Sequence, residues 1–267
     1  MPNGLHNTGS ICFYNSLIQS LYACKTFKKA INIMYNLTKE SDIKLIKLVY
    51  QIFESSELDQ HLVDNFRMVF FNEIHTKKHF NTNGQQCSNE FFVFLVEFLD
   101  EEYANIMKLD KSIDFNKPLE RLFKVAVEKV FTCKNCGKSH TNIDNNIMYI
   151  YSGKFKYSED VDLICEDCGS TGFKMDCKID TLGDVCLIYT YPPKEIKIPT
   201  DFSRIYKYKI SSGIIHHGSP FGGHYYAFGH DDTQAYYTFN DSSVSNYDIT
   251  DAKTNPHIVM RFYERTE

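Results

Sequence analysis

A chain of 267 residues, 43% hydrophobic and 24% charged, can bury a sizeable core as one large domain or two small ones and has an ordinary globular make-up. Its formal net charge of −5 argues against phosphate-backbone binding, which calls for a basic surface, and suits a partner with a basic face or tail. No stretch approaches the roughly 18 apolar residues of a membrane-spanning helix, and Met1 to Ser10 lack the apolar run of a signal peptide, so the expected setting is intracellular and reducing. The nine cysteines are then expected as metal ligands, a nucleophile or buried thiols rather than as disulfides. With no Trp present, Phe and Tyr must fill the core.

The chain opens with NGLHNTGS, a turn-rich segment in which Gly4 and Gly9 are free to take positive φ. From Cys12 onward Phe13, Leu17, Ile18, Leu21 and Tyr22 recur at helical spacing. A polar helical region with Leu45, Leu48, Val49 and Ile52 then extends to about residue 75. HFNTNGQQ, residues 79–86, reads as a loop. Ser88 reads as the N-cap of a strong helix in which Phe91, Phe94, Leu95, Phe98, Leu99 and Glu102 share a face or its border. After Pro118 the period changes: Phe123, Val125 and Val127 alternate, Cys133 to Gly137 makes a tight turn, and 141–180 is polar and short-stranded. From 184 to 267 the reading is nearly all β, with strands expected at 185–191, 205–215, 225–229, 236–239 and 258–263. Helices first and strands later predict an α+β protein rather than alternating βαβ units.

Cys12 sits where a glycine-containing loop enters a helix. A thiol there feels the positive end of the helix dipole, which favours the reactive thiolate. Asn7, five residues upstream, is near enough to fold back as an amide donor for the oxyanion of an acyl-transfer intermediate. A buried inert cysteine is the competing reading. A cysteine nucleophile also needs an imidazole and a group to orient it. Among ten histidines, His224 follows Gly222 and Gly223 and opens the aromatic run YYAF. Sixteen residues later Asn240 and Asp241 end the next strand, AYYTF, so a hairpin would bring His224 and Asn240 together. A purely structural histidine competes with that reading. Cys133 and Cys136 with Gly137, and Cys165 and Cys168 with Gly169, form two C-x-x-C-G knuckles whose thiolates can converge on one tetrahedral zinc ion. Closed by four cysteines, such an ion would fold the region rather than catalyse; disulfides or inert thiols are the alternative. Cys24, Cys177 and Cys186 have no partner pattern and are expected as buried thiols.

GLHNTGSICFYNSLIQ resembles the cysteine box of the ubiquitin-specific proteases. Gly4, Leu5, Asn7, Gly9, Cys12, Asn15, Ser16 and Gln19 stand in register, with Ile11 in place of Thr and Phe13 in place of Tyr. GGHYYAF is similar to that family's histidine box, and YYTFNDSSVS to the segment after it, with Tyr236 in place of Trp. GQQCSNEFF resembles its Gln-Gln-Asp-Ala-x-Glu-Phe helix start, HHGSPFGG its His-x-Gly loop and IVMRFYER its closing strand, so that the resemblance runs from Gly4 to Arg265. It implies a papain-like cysteine protease of the ubiquitin-specific protease hand type, with a helical thumb over about 1–120, zinc-bearing β fingers over about 121–183 and a β-rich palm over about 184–267. It implies Cys12 as nucleophile, His224 as general base, Asn240 as its orienting partner, Asn7 as oxyanion donor and Asp241 as a second polar residue at the site. His216 and Gln19 are implied as structural. Cys87 departs from the pattern, replacing the Asp that helps hold the substrate tail, and LIYTYPP replaces the family's Leu-Lys-Arg-Phe strand end.

The expectation is a monomeric deubiquitinase of the cytoplasm or nucleus, with one structural zinc ion (Zn2+) on Cys133, Cys136, Cys165 and Cys168. Its partner would be ubiquitin or ubiquitinated proteins, and neither nucleic acid nor membrane. A catalytically weak or inactive ubiquitin-binding module of the same fold is the alternative; Cys87 speaks for it, since a thiol is a poor hydrogen-bond acceptor. A zinc-ribbon nucleic-acid adaptor fits poorly with acidic charge and no Lys/Arg stripe around the knuckles.

Overall fold

Helices come first and strands after them, as the change of period at Pro118 predicts, so the protein is α+β. The computed structural model describes residues 2–78, 84–108, 117–191, 207–219 and 222–266. The helical part comprises α1 (Cys12–Ala23), α2 (Lys25–Thr38), α3 (Leu45–Glu54), α4 (Gln60–Lys78), α5 (Ser88–Ile106) and α6 (Pro118–Leu122). β1 (Val125–Cys133), β2 (Ser139–Ile147), β4 (Lys156–Ile164) and β5 (Thr171–Leu182) form an antiparallel sheet in the order β2-β1-β5-β4. The second sheet holds β3 (Ile150–Tyr151), β6 (Val185–Tyr189), β7 (Tyr208–Ser219), β8 (Gly222–His230), β9 (Tyr236–Asn240), β10 (Ser243–Asn246) and β11 (Ile258–Arg265). Its order is β10-β9-β8-β7-β11-β6-β3, antiparallel except where β3 joins β6, and a short α7 (Asp251–Thr254) precedes β11.

α1 is buried on nearly every side, its polar residues Asn15, Ser16, Gln19 and Ser20 included, so it must be enclosed by other elements. Ser20 Oγ donates to Gly213 O at 3.2 Å and Ser212 Oγ to Ser20 O at 2.8 Å, which pins one face to β7. The Tyr14 hydroxyl donates to Val63 O of α4 at 2.7 Å. In place of Trp, phenylalanines fill the interior: Phe91 meets Phe13, Tyr14, Phe70 and Phe71 edge to face with centroids 5.3–5.7 Å apart. Carboxylates of α5 cap two other helices. Glu102 accepts the N–H groups of Lys44, Leu45 and Ile46 at 2.7–3.0 Å at the start of α3. Asp100 accepts those of Leu119 and Glu120 at 2.9 and 2.8 Å at the start of α6. Both satisfy orphan donors at the start of those helices.

Two local expectations are corrected. Ser88 is the first residue of α5 rather than its cap; its hydroxyl donates to Phe13 O at 3.2 Å and so joins α5 to α1 instead of closing its own helix. The stretch 141–180 is not short-stranded, since β4 has 9 residues and β5 has 12. β4 lies at the sheet edge with most of its side chains exposed, so no apolar alternation marks it in the sequence. Of the loop 79–86, residues 79–83 lie outside the described residues, as do 205–206 of the strand expected at 205–215.

Candidate active site

The beginning of the chain is laced to the turn between β9 and β10. Leu5 N–H donates to Asp241 O at 2.9 Å. At Gly4 the two backbones come so close that a Cβ would stand 2.5 Å from that same oxygen, so only glycine fits. Asn7 Nδ2 donates to Asp241 Oδ2 at 3.1 Å, and Asn15 Nδ2 to Asp241 Oδ1 and to His6 O, each at 3.2 Å. The Asn7 carbonyl turns inward and accepts the N–H groups of Gly9 and Ile11 at 3.0 and 3.4 Å, shaping the loop that delivers Cys12 to the head of α1. Gln19 Nε2 donates to Asn3 O at 3.0 Å and holds the same segment from below.

β8 and β9 form the hairpin expected between His224 and Asn240. His224 Nε2 lies 2.6 Å from Asn240 Oδ1 and 3.8 Å from Asp241 Oδ2. Cys12 is buried, and the backbone N–H of Tyr225, the residue next to His224, points at its sulfur together with those of Phe13 and Cys12 itself. Thiol and imidazole-bearing strand are thus packed against each other, with Asn7, Asn240 and Asp241 around them. The pull of the helix terminus toward thiolate is opposed. Burial pushes the Cys12 thiol above its ordinary range, the Asp241 carboxylate adds to this, and the N–H donors oppose it only in part. A helix end supplies a partial charge, whereas desolvation acts on the whole charge of the thiolate.

Further features stand beside the thiol. Gln85 Oε1 accepts Gly223 N–H at 2.8 Å, its Nε2 donates to Gly223 O, and that Nε2 stands 3.8 Å from Cys12 Sγ. A cavity of about 310 Å³ opens next to it, walled by Cys87, Tyr189, Tyr191, His216 and Tyr225 among others. On its wall Cys87 Sγ lies 3.6 Å from the Tyr189 hydroxyl. His216 is buried against the Tyr225 ring with centroids 4.3 Å apart, and burial, then His217, His224 and His257, hold its imidazole below the ordinary range.

At the far end of the four-stranded sheet Cys133, Cys136, Cys165 and Cys168 meet, their sulfurs all within 4.8 Å of one another. Each knuckle closes through its glycine: Gly137 N–H donates to Cys133 O at 3.0 Å and Gly169 N–H to Cys165 O at 2.8 Å, at φ values of 74° and 71° that favour glycine. Cys133 Sγ is 3.8 Å from Cys168 Sγ, and Cys136 Sγ 3.7 Å from Cys165 Sγ. A tetrahedron with metal–sulfur bonds of about 2.3 Å has edges of about 3.8 Å, so the four thiols can hold a metal ion. Cys24, Cys177 and Cys186 are buried, as expected. Among the described residues no helix is long and apolar enough to cross a membrane.

The fold has close counterparts among solved structures. The SAGA DUB module Ubp8/Sgf11/Sus1/Sgf73 bound to monoubiquitin superposes with a TM-score of 0.80 at 17% identity, covering 99% of this chain and 69% of that one. The same module bound to ubiquitin aldehyde gives 0.77 at 17% identity, with 99% and 70% covered. The fold is therefore that of the ubiquitin-specific protease catalytic domain. Among curated relatives, ubiquitin carboxyl-terminal hydrolase 25 of Arabidopsis thaliana is 23% identical over 91% of this chain and 44% of its own length. Ubiquitin carboxyl-terminal hydrolase 36 of Drosophila grimshawi is 22% identical over 98% of this chain and 25% of its own length. The chain thus spans less than half the length of these relatives. Since the family model for ubiquitin carboxyl-terminal hydrolase matches residues 3–263, all but the extreme ends, the chain belongs to the ubiquitin carboxyl-terminal hydrolase family.

Proposed function

We propose that the chain is a thiol-dependent deubiquitinase that hydrolyses the peptide or isopeptide bond after the C-terminal glycine of ubiquitin. The observation that carries this reading is His224 held 2.6 Å from Asn240 on a strand whose next N–H, that of Tyr225, meets the sulfur of Cys12. In this reading Cys12 rests as a thiol and His224 takes its proton as the sulfur adds to the carbonyl carbon. Asn240 fixes the ring through Nε2, which leaves Nδ1 for the proton, and Asp241 braces Asn7 and Asn15 around the nucleophile. Asn7 offers its amide to the oxygen that becomes negative. His224 then returns the proton to the leaving amine, and a second round with water frees the glycine carboxylate.

Family membership and the ubiquitin-bound Ubp8 structures support ubiquitin as the partner. We assign the helical thumb to about 1–120, the fingers to about 121–183 and the palm to about 184–267. Zinc is the ion best suited to four thiolates, and held by Cys133, Cys136, Cys165 and Cys168 it would lock the finger tips together and leave no open coordination position.

The test is reaction with ubiquitin bearing a C-terminal electrophile, read by mass. An adduct on the wild type that disappears in Cys12→Ala supports the protease. Binding of ubiquitin without an adduct supports a non-catalytic module, to which Cys87 in the cavity wall gives some footing. Absence of both refutes either reading.

A further inference from the structure

The geometry points to Gln85 as a second oxyanion donor of this site, a catalytic residue in addition to Asn7; the inference rests on the deubiquitinase reading. A donor of this kind must be aimed before the reaction begins, because catalysis gains from groups that need not reorganise. The Gln85 carboxamide meets that condition. Its Oε1 accepts the N–H of Gly223 at 2.8 Å and its Nε2 donates one hydrogen to the carbonyl of the same residue. Both ends of the amide plane are thereby fixed on the residue just before His224, and the second hydrogen of Nε2 is left on the side of Cys12.

Nε2 is 3.8 Å from Cys12 Sγ. When the sulfur adds to a carbonyl carbon, the C–S bond forms, the π pair of the C=O moves onto oxygen, and the thiol proton goes to His224. The new oxyanion must lie about 3 Å from both nucleophile and donors. A sulfur and a donor nitrogen 3.8 Å apart leave such a position between them. Asn7 alone serves less well, since its carbonyl is tied to Gly9 and Ile11 and one of its N–H bonds is directed to Asp241. The backbone N–H groups of Tyr225, Phe13 and Cys12 also point at the sulfur, and the Gln85 amide donates to it over 3.8 Å, on a side chain anchored outside α1. Gln85 is the neighbouring side-chain amide that holds one hydrogen on Gly223 O and turns the other toward Cys12 Sγ.

The test compares wild type, Gln85→Glu and Gln85→Ala on ubiquitin carrying a C-terminal fluorogenic amide. It adds two binding measurements, with ubiquitin aldehyde, whose hemithioacetal places an oxygen in the same position, and with unmodified ubiquitin. Gln85→Glu keeps the acceptor for Gly223 N–H and removes the donor. Both variants are expected to lose about 10²-fold in kcat with KM little changed, in line with removal of a single oxyanion donor. Affinity for the aldehyde should fall in proportion, while affinity for unmodified ubiquitin and the thermal midpoint hold. If Gln85→Ala keeps its kcat or reacts faster, Gln85 covers the thiol instead of serving it and the inference is overturned. The same follows if aldehyde and unmodified ubiquitin lose affinity together. A wild type inert to amide and aldehyde alike overturns the deubiquitinase reading, and this inference with it; an active wild type beside an undiminished variant overturns this inference alone.

Discussion

Asp241 joins the first residues of the chain to the site, and its removal gives a quantitative test of that joint. Its carboxylate receives Asn15 Nδ2 at 3.2 Å and Asn7 Nδ2 at 3.1 Å. Hydrogen bonds to a charged group contribute about 1.5–3 kcal/mol where they are shielded and under about 1 kcal/mol where water competes. Asn15 is only 3% exposed and belongs to the first kind, whereas Asn7 is exposed and belongs to the second. Asn15 keeps His6 O as an alternative acceptor, which sets its share at the lower end. Asp241→Ala should therefore cost about 2 kcal/mol in urea unfolding, and Asp241→Ala with Asn15→Ala should show a coupling of about 1–1.5 kcal/mol in a double-mutant cycle. Turnover of ubiquitin amide should fall further than stability, because the loop that carries Cys12 loses its anchor. A coupling below about 0.5 kcal/mol would refute the claim that this pair bridges the two ends of the chain.

Further outcomes are expected on the same footing. Cys165→Ser should lower the zinc content from one ion per chain to none by metal analysis and expose the four-stranded sheet to proteolysis, with the helical layer protected for longer. Alkylation of Cys12 by iodoacetamide, followed by mass against pH, should have its midpoint above that of an ordinary thiol, since burial and Asp241 both raise it. Asp241→Asn should move that midpoint down and speed alkylation at neutral pH while slowing ubiquitin-amide hydrolysis. Burial raises the Asp100 carboxyl from 3.8 to about 7, so its contribution to stability is complete below about pH 4 and is lost as pH rises through about 7. Unfolding free energies from urea at pH 5 and pH 8 should differ by roughly 2–3 kcal/mol from this group, and Asp100→Asn should flatten the difference.

The parts of the fold and of the candidate site that are legible in the sequence are those set by short-range pattern. The loop ending at Ser10 and the apolar spacing from Phe13 to Tyr22 mark α1, and the aromatic runs after Gly223 and Ala235 mark the β8–β9 hairpin that brings His224 to Asn240. The two knuckles are legible because a C-x-x-C-G turn is local. What stays hidden depends on distant parts of the chain. Ser88 looks like a cap because nothing in its neighbourhood reveals that Phe13 O is waiting for its hydroxyl. Gln85 carries no period at all, and its place beside Cys12 depends on Gly223, 138 residues away. The upward push on the Cys12 thiol comes first from how completely α1 is enclosed, which no window around Cys12 conveys. Strands β4 and β5 are polar on the faces that water reaches, so their length leaves little hydrophobic trace.

The lacing of Gly4, Leu5, Asn7 and Asn15 onto Asp241 also bears on when the molecule becomes competent. Contacts of such wide separation form late, since the chain between them must be ordered first. Asp241 follows Asn15 by 226 residues, so all of that stretch must be made before the loop that carries Cys12 gains its anchor. A copy cut short before Asp241 therefore leaves that loop unanchored, and closure of this contact on refolding marks a late step of assembly rather than the collapse of either layer.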